Sequence, residues 1–267
     1  MAGKWKALAD QLEHEIKEGT HPPGAALPTI PDMVAAGWGS KATVSRAYEE
    51  LKARGYVTAR RGHGTVVRDR SRVRVPLSRY DHVLEPGGTR GPWETATAAQ
   101  GLNGRMEVDK PAAETLDAPA DIAAGLGLDT PAQAVRRRRR AMIDSDTIAL
   151  QEAWYPRNIA AAAGLDQPGK VTGGVLGALV GAGIVPAEAE ETVTVDEATP
   201  EQAARLSIAA RAPVFIVDRI TRDRAGRVIE LVRMTGAADR LALVYSPLPL
   251  KVRSSRGRAP SSGGEVR

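Results

Sequence analysis

The chain has 267 residues, a formal net charge of +5, 42% hydrophobic and 26% charged residues. That length suits two domains, and the apolar fraction excludes a wholly disordered chain. Cysteine is absent and the last of four histidines is His82, which excludes disulfides, thiolate metal sites and cysteine nucleophiles and leaves everything beyond without the commonest general base.

Composition therefore favours binding over catalysis, and no catalytic residue, metal or cofactor is expected. The first twenty residues are charged and helical in pattern, without an apolar leader. No apolar run approaches the roughly 20 residues of a membrane span. A cytoplasmic protein without a membrane partner is the expectation.

Trp5, Leu8, Leu12 and Ile16 recur at helical spacing and predict a first helix ending near Gly19. A turn rich in proline and glycine follows, and Pro31 suits the first turn of a short second helix that stops at Gly37-Trp38-Gly39. Ser40 caps a third helix running to about Arg54, with Val44, Ala47, Tyr48 and Leu51 on its inner face and Gly55 ending it. Two short strand patterns, at residues 56–59 and 65–67, flank a tip of Arg60, Arg61, Gly62, His63 and Gly64. This order is that of a winged helix-turn-helix, predicted over residues 1–70.

Charge agrees with the order. Between Lys52 and Arg74 eight basic residues face Asp69 alone, as expected where phosphates are neutralised. The third helix opens with small or polar residues, Ser40, Lys41, Ala42, Thr43, Ser45 and Arg46, which would let its first turn enter a major groove.

The runs Gly24–Thr29, Ser40–Leu51, Gly55-Tyr56-Val57 and Gly62–Val67 resemble the GntR family of bacterial transcription regulators, in order and at the family's spacing over residues 4–67. The resemblance implies that Lys41, Thr43, Ser45 and Arg46 face DNA while His63 and Gly64 of the wing enter the minor groove. Ser40, Arg60, Arg61 and Gly62 complete the candidate DNA surface. Ile30 and Pro31 stand where family members often carry an acidic–basic pair, and Lys41 and Ser45 where arginine is commoner. Serine lacks the fork that reads guanine bidentately, so an operator unlike the family's usual one is expected.

Residues 71–95 carry charge and little periodicity, and read as a linker. From residue 96 to 250 strand patterns alternate with short helices. Strands are expected at 104–108, 134–143, 147–154, 192–195, 214–222, 228–234 and 241–245. Helices are expected at 122–126, 156–163, 175–182 and 199–210. Tight turns between paired strands mean a mainly antiparallel sheet with helices, an α+β fold. The tail 251–267, rich in Ser, Gly and Arg, is expected to be a disordered basic segment.

Arg139 through Trp154-Tyr155-Pro156, Gly183-Ile184, residues 199–206, Ile216–Arg219, Gly226–Glu230 and Asp239-Arg240 resemble the UTRA effector-binding domain of the HutC subgroup, whose fold is similar to chorismate lyase. That resemblance implies an effector site on the strands flanking the first hairpin. Its arginine slots fall on Arg139 and Ala141, its acidic slots on Glu152 and Glu230, and its hydroxyl on Thr172. Alternation puts Arg137 on the same strand face as Arg139. The expected effector-binding set is thus Arg137, Arg139, Glu152, Thr172 and Glu230. Ala141 and Gly236 stand where an arginine and a tyrosine are usual, which argues against a sugar phosphate as the unidentified effector.

Together the halves imply a homodimeric, sequence-specific DNA-binding regulator, a repressor, bound to a palindromic operator and modulated by a small molecule. Two alternatives stay open at this stage: a lyase-like enzyme acting on a small carboxylic acid, and a DNA-binding module with a degenerate sensor.

Overall fold

The computed structural model describes residues 3–60, 62–76 and 91–246. Arg61, residues 77–90 within the expected linker, and the basic tail 251–267 lie outside them.

The first helix, α1 (Lys4–Lys17), packs Leu8 and Leu12 against the inner face of α3 (Lys41–Ala53), where Val44, Ala47, Tyr48 and Leu51 are buried. Between them α2 (Ile30–Ala35) begins at Thr29, whose side chain accepts from the Asp32 amide while Asp32 accepts from the Thr29 amide. This reciprocal cap satisfies two amides that a helix start leaves without partners. The turn into α3 runs through Gly37 (φ +85°) and Gly39 (φ +143°), conformations that side chains resist, and exposes Trp38 between them. Strands β1 (Val57–Arg60) and β2 (Gly64–Val67) pair antiparallel as the wing, and Ala26 bridges Val66 on its outer side. Val57 and Val67 turn inward and close the same small core.

The larger part is built on an antiparallel sheet in the order β4 (Gly104–Val108), β6 (Gln133–Ile143), β7 (Asp146–Pro156), β10 (Val228–Ala237), β9 (Pro213–Asp223), β8 (Pro186–Glu197). Strand β5 (Glu114–Asp117) joins β6 beyond the end of β4. One sheet face is covered by α6 (Arg157–Ala162) and α7 (Gly174–Gly181), which bury Ile159, Ala160 and Leu179 against Val135, Ala153, Tyr155 and Val232. At the other end of that face α4 (Pro92–Ala98) packs Trp93 near Ala141 and Ile143. The opposite face carries α5 (Ala120–Gly125), with Ile122 on Trp154 and Leu231, and α8 (Pro200–Leu206), with Leu206 on Leu150 and Val214.

Three expectations change. The region read as a linker contains β3 (Val73–Pro76), which pairs in parallel with β11 (Leu241–Val244), and the start of α4. Val73 and Val75 are buried there, so this short alternation is a core strand whose partner lies at the far end of the domain. The strand expected at 192–195 runs the whole length of β8, and the helix expected to reach 210 stops at Leu206 because Ser207 turns left-handed (φ +52°).

Ion pairs join the two parts. Arg68 donates to Gly55 O (2.9 Å) and to Asp239 (3.0 Å). The buried Arg240 reaches Asp69 and Asp146, each at 3.3 Å, and the Ser71 carbonyl.

Candidate functional site

At the start of α3, Ser40 Oγ accepts from the Thr43 amide (3.2 Å) and lies 3.0 Å from Thr43 Oγ1. The two hydroxyls therefore form one local pair at the helix N-terminus. Lys41 and Arg46 are exposed, and Ser45 is half-buried. The Arg46 guanidinium stacks over the Trp5 ring at 4.3 Å, so α1 holds it extended by a cation–π contact. In the wing, Gly62 and His63 form an exposed turn beyond Arg60, paired with Gly64. Arg60 donates to Ser145 Oγ in the β6–β7 turn, which brings the wing tip against the larger domain.

The basic run past Lys52 is less available than its composition indicates. Arg54 binds Asp10 (2.6 Å), Glu13 (2.7 Å) and Glu50 (2.9 Å), tying α3 to α1. Glu13 is held down at about 2: burial alone would raise it, but Lys17 and Arg54 outweigh that. Arg68 and Arg70 both face Asp239.

On the sheet face covered by α6 and α7, Glu230 is 1% exposed. It accepts from Tyr155 Oη (2.7 Å), Arg219 (2.6 Å) and Thr221 Oγ1 (3.3 Å). Burial favours its protonated form, yet the Arg219 charge and the Tyr155 and Arg219 hydrogen bonds, helped by Arg139, keep the carboxyl below its usual range. Burial, and then the Glu230 charge, push the Tyr155 phenol well up. Arg139 lies on this face opposite Gln151, with its Nε buried and without a hydrogen-bond partner. Thr172 is exposed in the turn leading to α7, where Gly173 and Gly174 follow at positive φ.

Of the five expected effector residues, then, Arg139 and Glu230 share a face, and Thr172 stands at the entry to the helix that covers it. Two do not fit. Glu152 pairs across the strands with Arg138, and so faces the opposite side of the sheet from Arg139. The cause is a bulge: Ala141 faces Ala149 but Met142 faces Thr147, leaving Ile148 extra. The extra residue shifts the register by one, which reverses the face; the position facing Arg139 is Gln151. Arg137 is on the correct face, but the residue is 3% exposed and its guanidinium donates to the carbonyls of Leu165 (2.8 Å), Gln167 (2.9 Å) and Gly169. It clamps the α6–α7 connection instead of facing a ligand. The sequence reading missed Gln151, Tyr155, Arg219 and Thr221 as site residues. Carrying the alternation of β10 across its two neighbours would have found the last three.

Residues 4–67 match the family model of bacterial regulatory proteins of the gntR family, and residues 100–242 match that of the UTRA domain. An uncharacterised HTH-type transcriptional regulator of Streptomyces coelicolor, SCO4628, is 32% identical over 248 residues, covering 91% of this chain and 92% of the relative. The HTH-type transcriptional regulator Rv0792c of Mycobacterium tuberculosis is 27% identical over 227 residues, covering 84% of this chain and 78% of its own length. Among solved structures, PhnF from Mycobacterium smegmatis shares the fold, with a TM-score of 0.53 at 23% identity over 89% of this chain and 97% of that one. With a capped third helix and wing at one end and an antiparallel effector-type domain at the other, the chain belongs to the GntR family of DNA-binding transcriptional regulators and carries a UTRA domain.

Proposed function

We propose that the chain is a dimeric repressor that places the N-terminus of α3 in the major groove of each operator half-site. A small molecule bound on the sheet face of Arg139, Gln151 and Glu230 sets its affinity. The observation that carries the DNA reading is the Ser40–Thr43 pair at the start of α3. It keeps the helix entrance small and polar, with Lys41 and Arg46 exposed beside it. Lys41, Thr43 and Ser45 read base edges; Arg46, Arg60 and Arg61 meet phosphates, and Gly62, His63 and Gly64 let the wing tip approach the minor groove. Binding without reaction suits the second domain, because both Glu230 oxygens are already engaged by hydrogen-bond donors.

The test is selection of bound sequences from a random duplex pool by the full chain, followed by titration of the selected DNA. Thr43→Ala is expected to change base preference at one position of each half-site, costing about 1–3 kcal/mol there. Arg60→Ala is expected to weaken all sequences alike and to lower the salt slope by about 1. Unchanged preference in the first and an unchanged slope in the second would overturn the assignment.

A further inference from the structure

The sheet face turned away from Arg139 carries a cavity of about 520 Å³, lined by Val108, Asp109, Lys110, Arg138, Arg140, Glu201 and Arg205. Its floor is β6, where Arg138 and Arg140 alternate onto this side while Arg137 and Arg139 point to the other. One wall is α8, through Glu201 and Arg205, and another is the end of β4 with the residues that follow it. The space lies behind the sheet, across it from the Glu230 cluster.

Cations outnumber acids along this lining by four to two. Of the two lining acids, Asp109 serves both Arg140 (2.9 Å) and Arg205, and Glu201 stands 3.8 Å from Arg205; outside the lining, Glu107 pairs with Arg140 (3.1 Å) and Glu114 serves Arg136 at 2.9 Å while standing 3.6 Å from Arg138. Arg138 makes no closer ion pair, and its Nε is buried without a hydrogen-bond partner. Lys110 has no ion pair among the described residues. The Arg138 side chain is 22% exposed, so its outer nitrogens, which have no carboxylate closer than 3.6 Å, are open to a charged acceptor.

We infer that this cavity is a binding site for a small, multiply charged oxyanion. Arg138 and Lys110 supply the principal donors, while Arg140 and Arg205, already paired with Glu107, Asp109 and Glu201, border the site. A carboxylate or phosphate group matches those donors, since planar guanidinium forks pair with either. The volume suits a small metabolite. The site is separate from the Arg139–Glu230 face, so either can be occupied alone.

The experiment is thermal unfolding of the full chain with inorganic phosphate or citrate, against sodium chloride at matched ionic strength and pH. Phosphate, citrate or both are expected to raise the Tm saturably, by about 4 °C at tenfold excess over half-saturation. The more effective probe identifies the preferred class of oxyanion. Lys110→Gln, at an exposed position, and Arg138→Gln are each expected to abolish the rise, while Arg139→Gln keeps it. No rise with either probe in the native chain, or a rise that survives in Lys110→Gln, would overturn the site. Loss of the rise in Arg139→Gln but not in Arg138→Gln would also do so, by placing the anion on the other face. None of these outcomes bears on the DNA reading, which the selection experiment decides.

Discussion

Glu230 shows what one buried carboxylate does when its neighbours are chosen by strand register. Tyr155, Arg219 and Thr221 reach it from β7 and β9 on either side, and together they hold it ionised despite its burial. Its folded pKa lies below its ordinary value of 4.5, so the unfolded chain takes up the proton first as pH falls. The stability it contributes is therefore complete above that value and is lost progressively below it. Glu230→Gln is expected to flatten the acid limb of a stability–pH profile below about pH 4.5. It should also cost about 3 kcal/mol at neutral pH by removing the acid opposite Arg219. Urea unfolding of both proteins across pH 3–7, on the order of one pH unit apart, is the measurement; parallel profiles would contradict the role. The same register logic explains what sequence alone could and could not reveal here. Arg139 and Glu230 are legible as site candidates, whereas nothing in the residues around Ile148 announces the bulge that turns Glu152 to the opposite face. Arg137 reads like Arg139 until the loop carbonyls of Leu165 and Gln167 are in view.

At the scale of the element, legibility follows how local the determining forces are. Helices α2, α3 and α8 carry their own caps at Thr29, Ser40 and Thr199, and these are readable from neighbours three residues apart. Strands β3 and β5 are four residues long and owe their existence to partners elsewhere, β11 in the one case and β6 in the other. The alternation of Val73 and Val75 in β3 is too short to mark a strand without that partner. For α3 the cap and the proposed DNA contact coincide at Ser40, and two substitutions separate them. Ser40→Ala should destabilise the N-terminal domain by about 1 kcal/mol through loss of the cap. Ser40→Asp should retain the cap and its stability, since aspartate caps equally well, yet weaken DNA binding by placing a negative charge against phosphate. Thermal unfolding and a DNA titration on both variants read the two effects independently; DNA affinity unaltered in Ser40→Asp would remove Ser40 from the interface.

Across the whole molecule, the joint between the halves is built from adjacent residues, Asp239 and Arg240, that grip the chain just after the wing. Asp239 takes Arg68 and Arg70, and Arg240 takes Asp69, with Asp146 and the Ser71 carbonyl. The β3–β11 pairing, a separate two-stranded sheet, follows at once on both sides of this joint. Helix α8 adds a second point of approach: Ala203, Ala204 and Ser207 border a cleft whose other wall is Lys52, Gly55, Val57 and Arg68. Arg240→Ala is expected to cost about 2 kcal/mol, because Asp69 and Asp146 are exposed enough to rehydrate once unpaired. Limited proteolysis should then cut faster between residues 67 and 73 while each half keeps its own unfolding transition; unchanged cleavage would show that the strand pairing alone holds the joint.

The outer strand β8 bears on how copies of this molecule meet. It is a twelve-residue sheet edge carrying Glu188, Glu190, Glu191, Asp196 and Glu197 and no basic residue. A long open edge invites another strand to add to it, and acids along it repel a second identical edge. Two copies brought together edge to edge would bring like charge to the seam, although Glu197 is already paired with Arg211. That repulsion disfavours this edge as a seam between copies, so the dimer proposed above is expected to use another surface.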